Sequence, residues 1–342
     1  MTNSTTLPTS PVTAVLCGNP AFRDAWYPVA RSIELSVDRP HAAMLLGTKI
    51  VLYRVDGTAI AAPDRCPHRE APLSKGSIED GCLVCPYHGW KFGSGGRCVN
   101  VPSSGDHVPP PPRAHLSTLL CEERYGLVWV SLGTPRQGIP VIPHDADPSF
   151  RRITNPTELW HTSATRMVDN FLDITHFPFV HTGTFGKGQD TRAPSVELQS
   201  LDNDWFGYAY DVKANNDTAG GSLATGETAA VVERSMTSGF QLPLACRSTI
   251  RYQSGLEHIL LLMSTPIDDV TSYFSFVIWR NDDFSVSAEE IVRFDHAIGA
   301  EDKRMLEQFD GVLPLDQTTL VSVQADKCNV EWRRRLVEAM RG

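Results

Sequence analysis

Residues 66–88, CPHREAPLSKGSIEDGCLVCPYH, are the stretch that decides what this chain folds into and what it binds. They contain a Cys66-x-His68 pair and, sixteen residues later, a Cys85-x-x-His88 pair. Two thiolates and two imidazoles in this order are typical of two irons bridged by sulfide, with both cysteines on one iron and both histidines on the other. We therefore predict that this stretch binds a [2Fe–2S] cluster.

The spacing of the four ligands also predicts the local backbone. Each pair is expected at the tip of a β-turn, where Pro67 and Pro86 fix φ directly after the cysteines and stiffen the turn. A structural zinc site is the alternative, but zinc fingers usually place both cysteines before both histidines. A second pattern, Cys82-x-x-Cys85, mimics a redox dithiol, although no βαβ pattern surrounds it.

Composition and charge limit the function classes. A chain of 342 residues with 41% apolar and 21% charged side chains is long enough for two globular domains. The net charge of −9 argues against binding to nucleic acid. Eight cysteines in a chain of this length do not form a disulfide framework, so a reducing, cytoplasmic location is expected. The N-terminus lacks the features of a signal peptide, and the longest apolar run, residues 259–263, is too short to span a membrane.

The pattern along the chain changes once. Residues 1–23 read as a flexible leader, and residues 24–140 as an all-β domain in which Asp56-Gly57 marks a hairpin turn. A proline-rich segment then leads into residues 141–342, where helical and strand patterns mix. The predicted fold class is α+β, with the all-β cluster domain followed by a domain built on an antiparallel sheet.

Three helices are expected in the second domain. The first is predicted over residues 163–176. The second is opened by a capping box at Ser287 and Glu290 and interrupted at Gly299, and Gly311 is expected as its stop. The last is an amphipathic helix over residues 326–340.

A second metal site is predicted in the first of these helices. Asn170, Asp173 and His176 are three residues apart and would share one helix face. Pro178 should end the helix near His176, so that the chain can turn back and bring His181 to the same metal. Two imidazoles and one carboxylate make the facial triad of non-haem Fe(II) oxygenases. Spacing leaves the carboxylate open among three candidates: Glu301, Asp302 and Asp310.

Taken together, these residues resemble the Rieske non-haem iron oxygenases, in particular the single-subunit-type enzymes similar to vanillate and dicamba O-demethylases. Both the cluster motif and the Asn170-x-x-Asp173-x-x-His176-x₄-His181 motif are intact and in the expected order. The resemblance favours Asp302 as the third ligand of a mononuclear Fe(II). It places Asn170 near the iron without a defined role. It also implies a helix-grip catalytic domain and a head-to-tail homotrimer in which Asp173 connects His176 to His88 of the neighbouring subunit.

The activity that the resemblance implies is that of a terminal oxygenase component. It would use O₂ and electrons from a separate NAD(P)H-dependent reductase, with or without a ferredoxin, to hydroxylate or demethylate a small, aromatic compound at an O- or N-methyl group. Ring hydroxylation or cis-dihydroxylation is the alternative outcome. A pure electron carrier of the Rieske ferredoxin type is a second alternative, but it would leave residues 141–342 unexplained.

The substrate cavity gives little signal in the sequence. Four aromatic residues near the second metal motif could line it, although core packing is expected for most of them: Phe171, Phe177, Phe179 and Phe185. Three further histidines have no partner spacing and are expected to be ordinary hydrogen-bonded residues: His161, His258 and His296.

Overall fold

The structure is a computed structural model that describes residues 15–105, 107–216, 225–282, 284–316 and 319–341. Its N-terminal part consists of short antiparallel strands. They are β1 (Tyr27–Arg31), β2 (His41–Leu45), β3 (Thr48–Val55), β4 (Thr58–Pro63), β5 (Ser77–Glu79), β6 (Cys82–Val84), β7 (Lys91–Phe92), β8 (Cys98–Asn100), β9 (Leu120–Arg124) and β10 (Leu127–Ser131).

These strands form three small sheets with the orders β1-β10-β9, β2-β3-β4 and β5-β6-β7-β8. The predicted Asp56-Gly57 turn joins β3 to β4, and both residues have the positive φ that a tight hairpin turn requires. Alternate side chains of β3 and β4 pack with Leu73, Leu83 and Phe92 into a buried apolar cluster. The cluster motif therefore extends from a rigid sheet framework.

The C-terminal part is organised around one larger antiparallel sheet. Its strands are β11 (Arg151–Thr154), β12 (Glu158–Trp160), β13 (Leu198–Ser200), β14 (Phe206–Asn215), β15 (Val231–Gln241), β16 (Ala245–Tyr252), β17 (Glu257–Pro266) and β18 (Ser272–Arg280). The order is β11-β18-β17-β16-β15-β14-β13, and β12 also pairs with β18. This arrangement confirms the predicted α+β class with an antiparallel sheet.

Helices lie against this sheet. They are α1 (Ala164–Leu172), α2 (Phe177–Val180), α3 (Ala288–Leu306) and α4 (Lys327–Arg341). The predicted cap of α3 is present, since the Ser287 hydroxyl accepts a hydrogen bond from the Glu290 N–H at 3.2 Å. Trp160, Met167, Phe274 and Leu306 form a buried cluster that fixes α1 and α3 on the sheet.

Three predictions about helices were wrong. Helix α1 ends at Leu172 and not near His176, because Asp173 is extended, with ψ of 141°. Pro178 lies in the first turn of α2, where its missing N–H breaks no helical hydrogen bond. Gly299 does not interrupt α3, which continues to Leu306. Gly311 is no helix stop either, although it has a positive φ.

The two parts of the chain are packed against each other. Tyr125, Leu127 and Trp129 of the N-terminal part share a buried cluster with Ile259 and Trp279 of the large sheet. The boundary between residues 140 and 141 stays a prediction, because this packing runs across it. In the described part of the chain, no helix is long and apolar enough to cross a membrane.

Candidate metal centres and the cavity between sheet and helix

The four cluster-motif residues lie on two turns with the same backbone pattern. In the first turn, the Cys66 carbonyl accepts from the N–H four residues ahead, at Glu70, at 2.9 Å. In the second, the Cys85 carbonyl accepts from the Gly89 N–H at 3.0 Å. Glu70 and Gly89 both have positive φ, 59° and 71°, which is how each turn reverses within so few residues.

The thiols of the two turns face inward, whereas the imidazoles face solvent. Cys66 and Cys85 are 1% and 2% exposed, and their side chains are within hydrogen-bonding distance of each other. The rings of His68 and His88 are exposed, with their centroids 4.6 Å apart. Trp90 stacks on His68 at 4.6 Å and holds its ring plane.

This donor set fits a [2Fe–2S] cluster. Burial raises the pKa of Cys66 to about 11, so its thiolate needs a positive partner, which bound iron supplies. The inner cysteine pair and the outer histidine pair match a cluster with one buried and one exposed iron. The turn geometry predicted from the prolines is confirmed.

Three side chains of the second domain converge on one point. The Nε2 atoms of His176 and His181 lie 3.2 Å apart, and they lie 3.4 and 3.3 Å from Oδ1 of Asp302. The three atoms form a nearly equilateral triangle, of the size expected when two imidazoles and a carboxylate share one metal ion. The three residues therefore could hold a metal ion, and two imidazoles with one carboxylate suit Fe(II).

The break between α1 and α2 places the two histidines. His176 caps the N-terminus of α2 and His181 follows its last residue, so one short helical turn separates them. The Gly186 N–H donates to the His181 carbonyl at 2.8 Å and closes the loop behind it. A Cβ on Gly186 would lie 1.9 Å from the Phe177 carbonyl oxygen, so only glycine fits there.

A carboxylate binds the outer nitrogen of each imidazole. Nδ1 of His176 lies 3.1 Å from Oδ2 of Asp173, and Nδ1 of His181 lies 3.1 Å from Oε2 of Glu301. These contacts place the protons on Nδ1 and leave both Nε2 lone pairs for a metal. Of the three candidate carboxylates, only Asp302 belongs to the triangle; Glu301 contacts the outer nitrogen of His181, and Asp310 lies outside the group.

The Glu301 carboxylate is held in place by the loop that follows His181. It accepts hydrogen bonds from the Gly183 N–H at 2.8 Å and from the Thr184 hydroxyl at 2.7 Å. A Cβ on Gly183 would lie 2.7 Å from Oε1 of Glu301, so the close approach depends on glycine. Sequence reasoning missed this role, because no spacing rule connects Glu301 with His181.

The electrostatics of the triad favour a charged carboxylate. Burial opposes ionisation of Asp302, but its hydrogen bonds to the two imidazoles lower its pKa to about 2. Burial also opposes a charge on His176, yet Asp173 and Asp302 raise its pKa to about 9. A metal ion binding here therefore displaces a proton from His176, as is usual for histidine ligands.

A cavity extends from the triad between the sheet and α3. Much of its lining is aromatic and aliphatic, including Phe171, Phe177, Phe185, Leu262 and Phe276. Phe185 stacks on the His181 ring, with the centroids 4.6 Å apart. Phe171, Phe177 and Phe185 line the cavity and Phe179 is 67% exposed, so the expectation of core packing for most of these four residues was wrong; of the four, Phe171 also packs against a buried cluster.

Part of the cavity lining is polar, which the sequence did not reveal. It includes Arg234, Tyr252, His258, Arg280 and Asp295. His258 is 4% exposed, and its Nε2 has no hydrogen-bond partner among the described residues. Burial, reinforced by Arg280 and Arg234, lowers the pKa of His258 well below its usual value, so it is neutral.

The structure also gives the hydrogen-bond partners of His296 and Asn170. His296 is an ordinary hydrogen-bonded residue, with Nδ1 2.8 Å from Oε1 of Glu158. Asn170 lines the cavity beside the triad, and its amide donates to Oδ1 of Asp302 at 3.5 Å. Asn170 thus contacts the carboxylate of the metal triangle and not the metal point itself.

Comparison with known families agrees with this geometry. Residues 160–342 match the vanillate O-demethylase oxygenase C-terminal domain family, and residues 25–112 match the Rieske [2Fe-2S] domain family. Methylxanthine N1-demethylase NdmA of Pseudomonas putida is 31% identical over 326 residues, which cover 93% of this chain and 89% of that protein.

Solved structures of related oxygenases have a similar fold. Pseudomonas putida CBB5 NdmA with caffeine superposes with a TM-score of 0.80 at 29% identity, over 94% of this chain and 92% of that chain. Dicamba monooxygenase bound to 3,6-dichlorosalicylic acid has a TM-score of 0.79 at 23% identity, over 96% of this chain and 98% of that chain. The second likeness supports the fold alone.

Proposed function

The chain belongs to the Rieske non-haem iron oxygenases of the vanillate O-demethylase type, and on this basis we propose that it removes an N- or O-bound methyl group from a small aromatic substrate. As an oxygenase component of this family it uses a [2Fe–2S] cluster, a mononuclear iron, O₂ and electrons from a separate reductase. One observation carries the proposal. The His176, His181 and Asp302 triangle opens directly into a cavity with aromatic walls.

We assign four residues to the [2Fe–2S] cluster and three to the mononuclear iron. Cys66 and Cys85 would hold the inner iron of the cluster, and His68 and His88 the outer one. His176, His181 and Asp302 would hold the mononuclear iron. When bound, this iron supplies activation of O₂ for attack on the substrate.

The protein side chains provide the rest of the mechanism. Asp173 and Glu301 hold the Nδ1 protons of the two histidines and so fix both rings. Phe177 and Phe185 exclude water from the triad and offer flat surfaces for an aromatic substrate. Hydroxylation of the methyl carbon consumes O₂, two electrons and two protons and forms water. The resulting hemiacetal or hemiaminal releases formaldehyde.

Electron delivery is proposed to cross between subunits of a homotrimer. The rings of His68 and His88 are exposed, as an outgoing route requires. Asp173 keeps 24% of its side chain exposed while Oδ2 contacts His176 and Oδ1 accepts from the N–H and hydroxyl of Thr175, so a neighbour could add one further hydrogen bond at Oδ2. Asp173 shares a surface depression with three exposed apolar side chains that offer a docking surface: Met305, Phe309 and Val321. A reductase, directly or through a ferredoxin, would feed the cluster, and the free cysteines suit the cytoplasm.

Product analysis tests the proposed reaction. Purified protein, supplied with a Rieske-type reductase and NADH, is incubated with a panel of methoxylated and N-methylated aromatic compounds. We expect formaldehyde in a one-to-one ratio with O₂ consumed for at least one compound. Consumption of O₂ with a hydroxylated or dihydroxylated ring and no formaldehyde would instead support ring oxygenation and contradict demethylation.

A further inference from the structure

Arg234 lines the cavity beside the triad, and it is a buried arginine with hydrogen-bond donors that have no partner. Arg234 lies on β15, points into the sheet face that lines the cavity and is 7% exposed. Its Nε and Nη2 atoms are buried and have no hydrogen-bond partner among the described residues. A buried guanidinium in this state is unfavourable until an acceptor satisfies it. The cavity therefore favours an occupant that brings acceptors.

The two unused donors are arranged as a fork. Nε–H and Nη2–H lie on the same edge of the planar guanidinium and point in parallel. This edge matches the two oxygens of a carboxylate, which can accept both hydrogen bonds at once. A single carbonyl oxygen would leave one of the two donors without an equally good partner.

The position of Arg234 relative to the metal triangle fits a one-ring substrate. Its Cζ lies 5.4 Å from the centroid of Phe185, and Phe185 stacks on His181 at 4.6 Å. The guanidinium carbon is thus within about 10 Å of the His181 ring centroid. The intervening wall is aromatic and aliphatic, with Phe185, Met236 and Ile250.

The neighbouring groups leave the charge of Arg234 uncompensated. Arg280 forms an ion pair with Asp282, with Nε 2.5 Å from Oδ2, and Arg151 pairs with the same oxygen, so Asp282 has no charge to spare for Arg234. His258 lies on β17, opposite Ile250 of β16, and is neutral. Tyr252, the register partner of Arg234, hydrogen-bonds with the Arg234 side chain but carries no charge, and Nε and Nη2 remain without a partner. A substrate anion would complete the balance.

We propose that Arg234 is the specificity-determining residue of the cavity and binds the carboxylate of an aromatic acid whose methyl group lies at the metal triangle. The inference rests on the proposed demethylation only for the position of the methyl group. The carboxylate site itself is a statement about binding, and it can be tested without turnover.

The test compares isosteric pairs that differ in charge. Binding of 3- and 4-methoxybenzoate and of the matching methoxybenzamides to the holoenzyme is measured by anaerobic calorimetry. We expect at least one benzoate to bind tenfold or more tightly than its amide. This preference should vanish in Arg234→Met and be largely lost in Arg234→Lys, which keeps the charge but not the fork.

Controls separate a binding defect from a folding defect. The variants should keep the cluster absorbance, the iron content and the melting temperature of the wild type. Equal or tighter binding of the amides by the wild type, absence of binding by both series at millimolar concentration, or a benzoate preference that survives in Arg234→Met would overturn the proposal. Tight benzoate binding without formaldehyde would support the anion site and contradict demethylation.

Discussion

At the residue scale, the imidazoles of the metal triangle depend on two carboxylates that come from different parts of the fold. Asp173 directly follows α1, whereas Glu301 lies on α3 next to Asp302. The side chains of Glu301 and Asp302 leave the helix on different sides. Consecutive residues on a helix are about 100° apart, so α3 presents Asp302 to the metal point while Glu301 contacts the outer side of His181. One helix thus supplies both a ligand candidate and the group that orients its neighbour.

Loss of the Glu301 carboxylate should weaken metal binding. We expect Glu301→Gln to lower the affinity of the mononuclear site for Fe(II) about 10- to 100-fold, because the His181 ring loses its charged acceptor. Fe(II) titration of protein depleted of mononuclear iron measures the affinity, and the cluster absorbance should be unchanged. Glu289→Gln, the same change at an exposed position of α3, serves as the control. Equal affinities in both variants would show that Glu301 does not orient His181.

Asp295 makes substrate affinity depend on pH. Burial raises the pKa of Asp295 to about 7, and it lies in the polar part of the cavity lining, where Asn155 donates to it and Arg280 is close. The carboxyl is neutral below pH 7 and becomes negative above it, so it then repels a substrate anion. We expect the dissociation constant of a bound methoxybenzoate to rise several-fold between pH 6 and pH 8, and Asp295→Asn to remove most of this rise. A fall in the dissociation constant over the same range would contradict this sign.

The sequence located the residues whose roles follow from local spacing. Cys66, His68, Cys85 and His88 lie within one stretch of the chain, and their short intervals permit few arrangements. Arg234 and His258 are different, because isolated residues on strands become a site only when strand register aligns them. No spacing in the sequence reports that register.

At the element scale, the hairpins were predicted well because their turns are encoded locally. The Asp56-Gly57 turn joins the strands that the alternating pattern predicts. The break after Leu172 was not predicted, because Pro178 is compatible both with ending a helix and with starting one. Tertiary contacts decide between these, since the Tyr208 hydroxyl donates to the Leu172 carbonyl at 2.9 Å and satisfies the helix end.

One buried phenol connects the hairpin of β9 and β10 to the segment that enters the second domain. The Tyr125 hydroxyl donates to the Pro140 carbonyl at 3.0 Å and accepts from the Ile142 N–H at 2.9 Å. Tyr125→Phe leaves two buried backbone groups unpaired, so we expect it to lower the free energy of unfolding by about 1–3 kcal/mol. Chemical denaturation of the holoprotein measures this change.

Tyr53→Phe is the matched control. The Tyr53 hydroxyl is buried and has no hydrogen-bond partner among the described residues, so its removal should be neutral or stabilising. A Tyr125→Phe variant as stable as Tyr53→Phe would show that the phenol does not stabilise this connection.

At the scale of the whole molecule, the proposed transfer between subunits can be tested by complementation. His68→Ala lacks a working cluster and His176→Ala lacks the mononuclear site, so each variant alone should be inactive. In a mixed head-to-tail ring, an intact cluster meets an intact iron site in the next subunit. Random mixing in equal amounts should therefore restore about a quarter of the wild-type activity.

A control for this experiment mixes wild-type chains with the His68→Ala, His176→Ala double variant in equal amounts. It should also give about a quarter of the activity of an all-wild-type ring by the same counting, which verifies that subunits exchange. The two chains carry different affinity tags, so that tandem purification recovers only mixed rings. Activity in proportion to the wild-type chains in these mixed control rings, together with none in mixed rings of the single variants, would mean that electrons stay within one chain.

Two separate iron sites in one chain are the central feature of the proposed enzyme. Iron, zinc and acid-labile sulfide are measured on anaerobically prepared wild type and on His176→Ala. We predict about three irons and two sulfides per wild-type chain, and a loss of one iron with unchanged sulfide in the variant. Zinc without sulfide in the wild type, or full retention of iron in His176→Ala, would contradict the account.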